Sequence, residues 1–379
     1  MRDPRIDQFA KQIITYSTKV KPGEAALIEY QGRDARELAV ACAEQTILAG
    51  GTPIVQEAND QLSAFFLNNC NEQQMERKGD ILLKQMKECQ VYVGIRGSEN
   101  IFGMKGVSEE ALEWHSKYIK IPVHMNQRVK KSRWVVMRYP NASMAQLAER
   151  STPEFADFYF RACCLDYAKM ETAVKPLQKL MDDSKKVHIT GPQTELRFSI
   201  EGIKSIPCTG QVNIPDGECF TAPVRDSVEG TVFFNCKTTH RTTGEAFSTI
   251  HLTFEKGKVV KVETGDAEKN ATLNKILDKD EGARYLGEFA IGFHPFITEP
   301  MNDILFDEKI KGSFHMALGA CYDEASNGNK SAEHWDLVQI QRPEYGGGEI
   351  YFDDVLIRKD GEFVIDELKG LNAENFQDL

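Results

Sequence analysis

The hydrophobic periodicity of this chain changes once, near residue 185, and that change limits the fold more than any single motif. Upstream, buried-strand signals alternate with amphipathic helical stretches. Residues 6–18 carry a helical period, 24–30 form an apolar run of strand length, 34–48 are helical again and 53–57 give the next strand. The order continues through a helix at 79–87 and strands at 90–95 and 134–138, the last stopped by Pro140. Continuous apolar strands separated by helices pack as a mostly parallel sheet covered on both faces. Gly50-Gly51 follows a helix and precedes a strand, the reverse of a phosphate-binding loop, so it is expected to end the helix.

After a helical stretch at 153–181 the pattern becomes strand-rich. Short alternating runs recur at 186–189, 195–200, 231–234, 248–254 and 259–262, separated by Gly, Asp, Asn and Lys turns. Helical periods return at 267–279 and 282–290. With 379 residues the chain exceeds what one core usually organises. The expectation is an α/β N-terminal domain with a mostly parallel sheet over 1–185, then a β-rich α+β catalytic domain over 186–379. No internal repeat is evident.

Composition removes several function classes. No apolar run reaches the length of a membrane span, and the start, Met1-Arg-Asp-Pro-Arg-Ile-Asp, has no hydrophobic signal region, so a cytoplasmic protein without a membrane partner is expected. Nine cysteines are scattered without a C-x-x-C pair, as fits reduced thiols. A formal charge of −11 argues against a nucleic-acid partner, whose phosphates need concentrated Lys and Arg. The basic stretch 128–133 reads as a solvated turn.

The residues with metal-ligand chemistry lie in the second half. In His334-Trp-Asp336, residues two apart on a strand project to one face, so an imidazole and a carboxylate can close on one ion. A Pro215-Asp-Gly turn delivers Glu218 to an extended run. Residues 280–288 read as a helix with Glu288 near its end, where Gly287 allows close backbone approach. Together with His315 these make three carboxylates and two imidazoles, a donor set for two divalent ions sharing a bridging carboxylate. Taken singly, each has an ordinary reading. Glu218 and Glu288 would face solvent, His315 would be a satisfied core histidine and Tyr322 a half-buried packing residue.

Four motifs in order change that weighting: Pro215-x-x-Glu218-x-Phe-Thr-Ala-Pro223, Leu286-Gly-Glu288, His315-Met-Ala-Leu-Gly-Ala-Cys-Tyr322 and His334-x-Asp336. Their sequence resembles the thermophilic metallo-aminopeptidase family of the aminopeptidase T and S type. Gly191-Pro-x-Thr-Glu-Leu196 adds to the likeness, which covers most of the chain. The resemblance implies that Glu218, Glu288, His315, His334 and Asp336 bind two divalent ions (Zn, Co, Mn or Mg), with Tyr322 and Glu218 as catalytic groups. It also implies short peptide substrates, release of N-terminal amino acids and a homodimer. Only eleven residues separate Tyr322 from His334, which is similar to a compact branch that includes pyridine-ring-opening dioxygenases. There a single Fe(II) on His315, His334 and Asp336 would suffice. A non-catalytic dimer is the third alternative.

Other features have quieter explanations. His294 is expected only to support the ligand set. Tyr345-Gly-Gly-Gly-Glu349 lacks the lysine and helix of a phosphate loop and reads as a close backbone approach; Asp353-Asp354 and residues 358–362 read as hairpin turns.

Overall fold

The computed structural model describes residues 2–100, 103, 105–240 and 242–376. The chain forms two compact units. One runs to Cys164 and takes back Gly210–Ile214; the other comprises Leu165–Thr209 and everything from Pro215 onward. The sequence expectation set the boundary at 185. The division instead lies inside the stretch read as one helical region, because that region is three helices: Thr152–Cys163, Tyr167–Ala173 and Lys175–Asp183. Asp166 caps the second by accepting from Lys169 N, and Pro176 starts the third, so the chain re-enters helix twice.

The first unit follows βαβ order. Ala25–Gln31 pairs in parallel with Thr52–Ala58 on one side and Val91–Arg96 on the other; Arg133–Arg138 and the short Asn213–Ile214 extend the sheet, also in parallel. Val91, Tyr92, Val93 and Ile95 are fully buried, the continuous apolar run expected of a strand covered on both faces. Gly50 has φ +79, so it ends the helix Arg36–Leu48 in the left-handed conformation that favours glycine. The basic stretch is not a simple solvated turn. Arg128 belongs to the helix Ser116–Val129, and its guanidinium lies 4.4 Å from the centre of the Trp134 ring.

Among the described residues, the second unit holds two large antiparallel sheets and a two-stranded ribbon, Thr238–Thr239 with Ala246–Phe247. The larger has eight strands and contains the hairpins Lys186–Gly191 with Thr194–Ser199, and Ile250–Glu255 with Lys258–Glu263. Asp353 (φ 47) and Asp354 (φ 65) form the turn joining Glu349–Phe352 to Val355–Lys359, and Asp360-Gly361 forms the next. The smaller sheet runs His334–Ile340, Ser313–Gly319, Leu286–Gly292, Glu218–Thr221, Ile206–Cys208.

One expectation fails here. Residues 282–290 are not a helix: a short 3-10 turn, Glu281–Arg284, is capped by Asp280 through Gly282 N and Ala283 N, and Leu286–Gly292 is then a fully buried central strand. A short apolar run has no period that separates buried helix from buried strand, and burial on both faces chose the strand. All nine cysteines are free. Among the described residues, no helix is long and apolar enough to cross a membrane.

Candidate metal centre

Register alone gathers the five predicted ligands. Ala317 lies opposite Asp336 on one side and Glu288 on the other; Gly319 lies opposite His334, Ala290 opposite His315, and Gly292 opposite Glu218. Directly opposed residues share a face, and so do residues two apart. His315, Ala317 and Gly319 therefore share a face with His334 and Asp336, with Glu288, Ala290 and Gly292, and with Glu218. Five donors project from one face of four adjacent strands, and the positions between them carry nothing larger than a methyl group.

A bulge makes this register possible. Leu286 pairs with Leu318 but Glu288 pairs with Ala317, so Gly287 is the extra residue. A Cβ on Gly287 would stand 2.2 Å from Ala320 O, which no larger residue accommodates. Without the bulge Glu288 would turn to the opposite face.

The donor atoms converge. Glu288 places Oε1 3.4 Å from His315 Nε2 and Oε2 3.3 Å from His334 Nε2. His334 Nε2 is 3.5 Å from Asp336 Oδ1, and His315 Nε2 is 3.7 Å from Glu218 Oε2. Both imidazoles are oriented from behind. His315 Nδ1–H donates to the Glu308 carbonyl at 3.1 Å, and His334 Nδ1–H donates to the Ala320 carbonyl at 2.7 Å. A carbonyl only accepts, so each Nδ1 carries the proton and each Nε2 is the nitrogen turned to the centre.

Sequence reading missed Glu308. Its carboxylate groups with His315 and Asp336, while Glu288, His334 and Asp336 form a second triad. Glu308 follows the short helix Ile304–Asp307 in a run, Asp307-Glu308-Lys309, that looks in sequence like a solvated charged turn. Its one signal is position, seven residues before His315. The turn closes onto the sheet because a Cβ on Gly292 would stand 2.9 Å from Glu308 O. His294 is completely buried behind the same turn, donating its backbone N–H to Lys309 O. Its ring Nδ1 accepts from Phe296 N at 3.2 Å.

The centre gathers more carboxylates than permanent cations. Glu218, Glu288, Glu308 and Asp336 supply four carboxylates, and Lys309 is the fixed cation paired with Glu218 and Glu308. Burial raises the Glu218 carboxyl to about 8 against the attraction of Lys309. Burial alone would lower both imidazoles, yet Glu288, Glu218 and Asp336 raise His315 to about 10, and Asp336 with Glu288 raises His334 to about 11. Asp336 and Glu288 are lowered, the two imidazoles outweighing burial. Glu218 Oε2 is buried without a hydrogen-bond partner. An oxygen left bare, two oriented imidazole nitrogens and a carboxylate surplus fit a divalent cation, which would compete with protons for the same lone pairs.

Exposure shows where a substrate can enter. The side chains of Glu218, Glu288 and His315 are 8%, 4% and 1% exposed, whereas His334 is 24% exposed. Tyr322 is 46% exposed, its ring centre 4.7 Å from that of His334 and 5.5 Å from that of Phe220. The centre therefore opens on the Tyr322 side.

Known proteins share this architecture. Aminopeptidase T of Thermus aquaticus is 33% identical over 162 residues, and aminopeptidase AmpS of Bacillus subtilis 31% over 131. These alignments span 39% and 34% of this chain but only 38% and 30% of the relatives' own lengths. Over the whole fold, wild-type AmpT from Thermus thermophilus superposes with a TM-score of 0.79 at 21% identity, covering 96% of this chain and 99% of that one. The 2,5-dihydroxypyridine dioxygenase from Pseudomonas putida KT2440 superposes with 0.62 at 13%, covering 97% and 99%. A model of the thermophilic metalloprotease (M29) family matches residues 2–363, and the chain belongs to that family.

Proposed function

We propose that the protein is a metal-dependent aminopeptidase that releases N-terminal residues from short peptides. The observation that carries this reading is Glu288, which offers one oxygen to each imidazole, the placement of a carboxylate shared by two ions. In this reading Glu218, Glu288, His315, His334 and Asp336 would hold the divalent ions. Zn, Co, Mn and Mg all suit such a mixed oxygen and nitrogen set. Bound divalent ions supply an acidified water and a polarised carbonyl.

The chain's own groups do the rest. The Nδ1 bonds to Glu308 O and Ala320 O fix the imidazoles, so little reorganisation accompanies reaction. Tyr322, on the open side, donates its hydroxyl proton to the oxygen that gains charge as the amide carbonyl is attacked. Glu218 would act through the ion it holds: its Oε1 is paired with Lys309, and its Oε2, buried without a hydrogen bond, is the oxygen left to offer. The carboxylate surplus holds the substrate's α-ammonium group, which restricts cleavage to the first peptide bond. The naming of the curated relatives as aminopeptidases supports the same reading.

The ring-opening alternative, with one Fe(II) on His315, His334 and Asp336, leaves the buried Glu218 and Glu288 without a task. The likeness to the dioxygenase concerns the fold alone. Homodimeric assembly and a cytoplasmic location belong to the proposal through the family resemblance, and nine free thiols fit a reducing compartment. The test is elemental analysis of protein purified without chelator, paired with hydrolysis of an aminoacyl amide. Close to two divalent ions per chain and chelator-sensitive hydrolysis are expected. One iron per chain with no hydrolysis under any divalent metal would overturn the reading.

A further inference from the structure

A third group of donors adjoins the centre through Glu218 and faces a cation supplied by the chain itself. Cys208 pairs in register with Glu218, and Cys208, Asp216 and Glu218 bring a sulfur and two carboxylate oxygens within 4.8 Å of one another. Such a trio attracts a thiophilic cation. The Lys309 side chain is 0% exposed, and its Nζ stands 3.3 Å from Glu218 Oε1 while also pairing with Glu308.

The lysine is held by backbone as well as by charge. Lys309 N donates to Phe306 O and Lys309 O accepts from His294 N, both at 3.0 Å, so the residue is fixed at the end of the Ile304–Asp307 helix. A buried ammonium persists only where carboxylates repay its desolvation. Glu218, Glu308 and Asp216 do so, holding its proton well above the usual lysine range despite burial. The two oxygens of Glu218 consequently have different fates. Oε1 faces Lys309, and Oε2, without a hydrogen bond, faces His315.

We propose that Lys309 is a positioning residue whose ammonium acts as the cation of the Cys208, Asp216 and Glu218 group, excluding a metal from it and presenting Glu218 Oε2 to an ion on the His315 side. This rests on the reading of Glu218 as a ligand. It goes beyond that reading by giving the site a built-in charge that selects which of two adjacent donor groups accepts metal.

The test titrates the full apo-chain with Zn²⁺ against a chromophoric chelator and, separately, with Cd²⁺ while recording thiolate-to-cadmium charge-transfer absorption. In Lys309→Met, Zn²⁺ affinity at one of the two positions should fall about 10-fold or more, the usual cost of losing a ligand's outer partner. The same variant should gain a Cd²⁺–thiolate band that Cys208→Ser removes. A residue that only fills space would not create that band. Wild-type protein saturated with Cd²⁺ should lack it. A Cys208-dependent band in the wild type would overturn the proposal even if Lys309→Met fails to fold. A folded Lys309→Met with unchanged Zn²⁺ affinity and no band would overturn it while leaving the metalloenzyme reading intact. Wild-type protein that takes up no Zn²⁺ would overturn both.

Discussion

Each unit of this protein buries charges that do not cancel, with opposite signs. In the first, Glu29 accepts from Arg96 Nη1 at 2.7 Å and from Tyr92 OH at 2.9 Å, and Arg128 is the second cation, its guanidinium against the rings of Trp134 and Tyr92. Two guanidinium groups face one carboxylate. In the second unit Glu218, Glu288, Glu308 and Asp336 face one permanent cation, Lys309, and draw protons onto the imidazoles of His315 and His334. The difference teaches what a chain can repair alone. Aromatic faces attract surplus cations and are made of ordinary side chains, so the first unit is complete as it folds. The carboxylates of the second unit are gathered around lone pairs that only protons or a bound cation can share, so that unit recruits positive charge from outside the chain.

The sharpest way to break that contrast is Glu288→Gln. The amide keeps the shape of the carboxylate but removes the charge between His315 and His334. Aminoacyl-amide hydrolysis should fall by more than the roughly 100-fold cost of an outer partner, and elemental analysis should show less than the wild-type metal content. Wild-type turnover in this variant would mean that the carboxylate surplus serves no ion.

Metal addition should then separate the units. An ion that binds only the folded centre stabilises by about 4 kcal/mol at a thousandfold excess over its dissociation constant. Hydrogen exchange should slow in the strands carrying Glu218, Glu288, His315 and His334, and stay unchanged in Ala25–Gln31 and Val91–Arg96. Equal protection of both would show that the second unit has no particular need of a cation.

Acid should reverse the order of vulnerability. His124 in the first unit is lowered to about 4 by burial and by Arg128, Arg96 and His115, with Glu29 opposing. The unfolded chain takes up this proton near pH 6.5, while the folded unit resists until about pH 4. The associated stability is thus fully present above pH 6.5 and is lost as pH falls toward 4, by about 3 kcal/mol at most. Chemical denaturation of His124→Gln should show a flatter dependence across that window. An unchanged slope would place the origin of acid lability elsewhere.

Much of the fold and of the ligand set is legible in the sequence, though the charge contrast is not. Four of the five parallel strands are legible within a residue or two because buried strands announce themselves as unbroken apolar runs; Asn213–Ile214 is too short to do so. His334 and Asp336 were placed on one face by the period of two, and Glu218 at a strand start by its Pro-Asp-Gly turn. The sequence places Glu288 on a helix because the run around it has no decisive period; its strand is imposed by two neighbours in the sheet. Glu308 and Lys309 escaped notice for a related reason. Three consecutive charged residues look solvated, and only the folded sheet, with Gly292 beneath them, makes them interior.

The floor of the centre has a consequence for how such a protein can change. Ala290, Gly292, Ala317 and Gly319 alternate with the donors, and the backbone already crowds two of them: a Cβ would stand 2.9 Å from Glu308 O at Gly292 and 2.2 Å from Glu333 O at Gly319. Substitution there can only subtract from the chemistry. Novelty in substrate preference must be written on the rim, at Phe220 and at exposed positions between Tyr322 and His334 such as Asp323 and Glu324, where a side chain can be exchanged without replacing a donor. A lineage diversifying on this scaffold would keep its floor monotonous and spend its variation at the doorway.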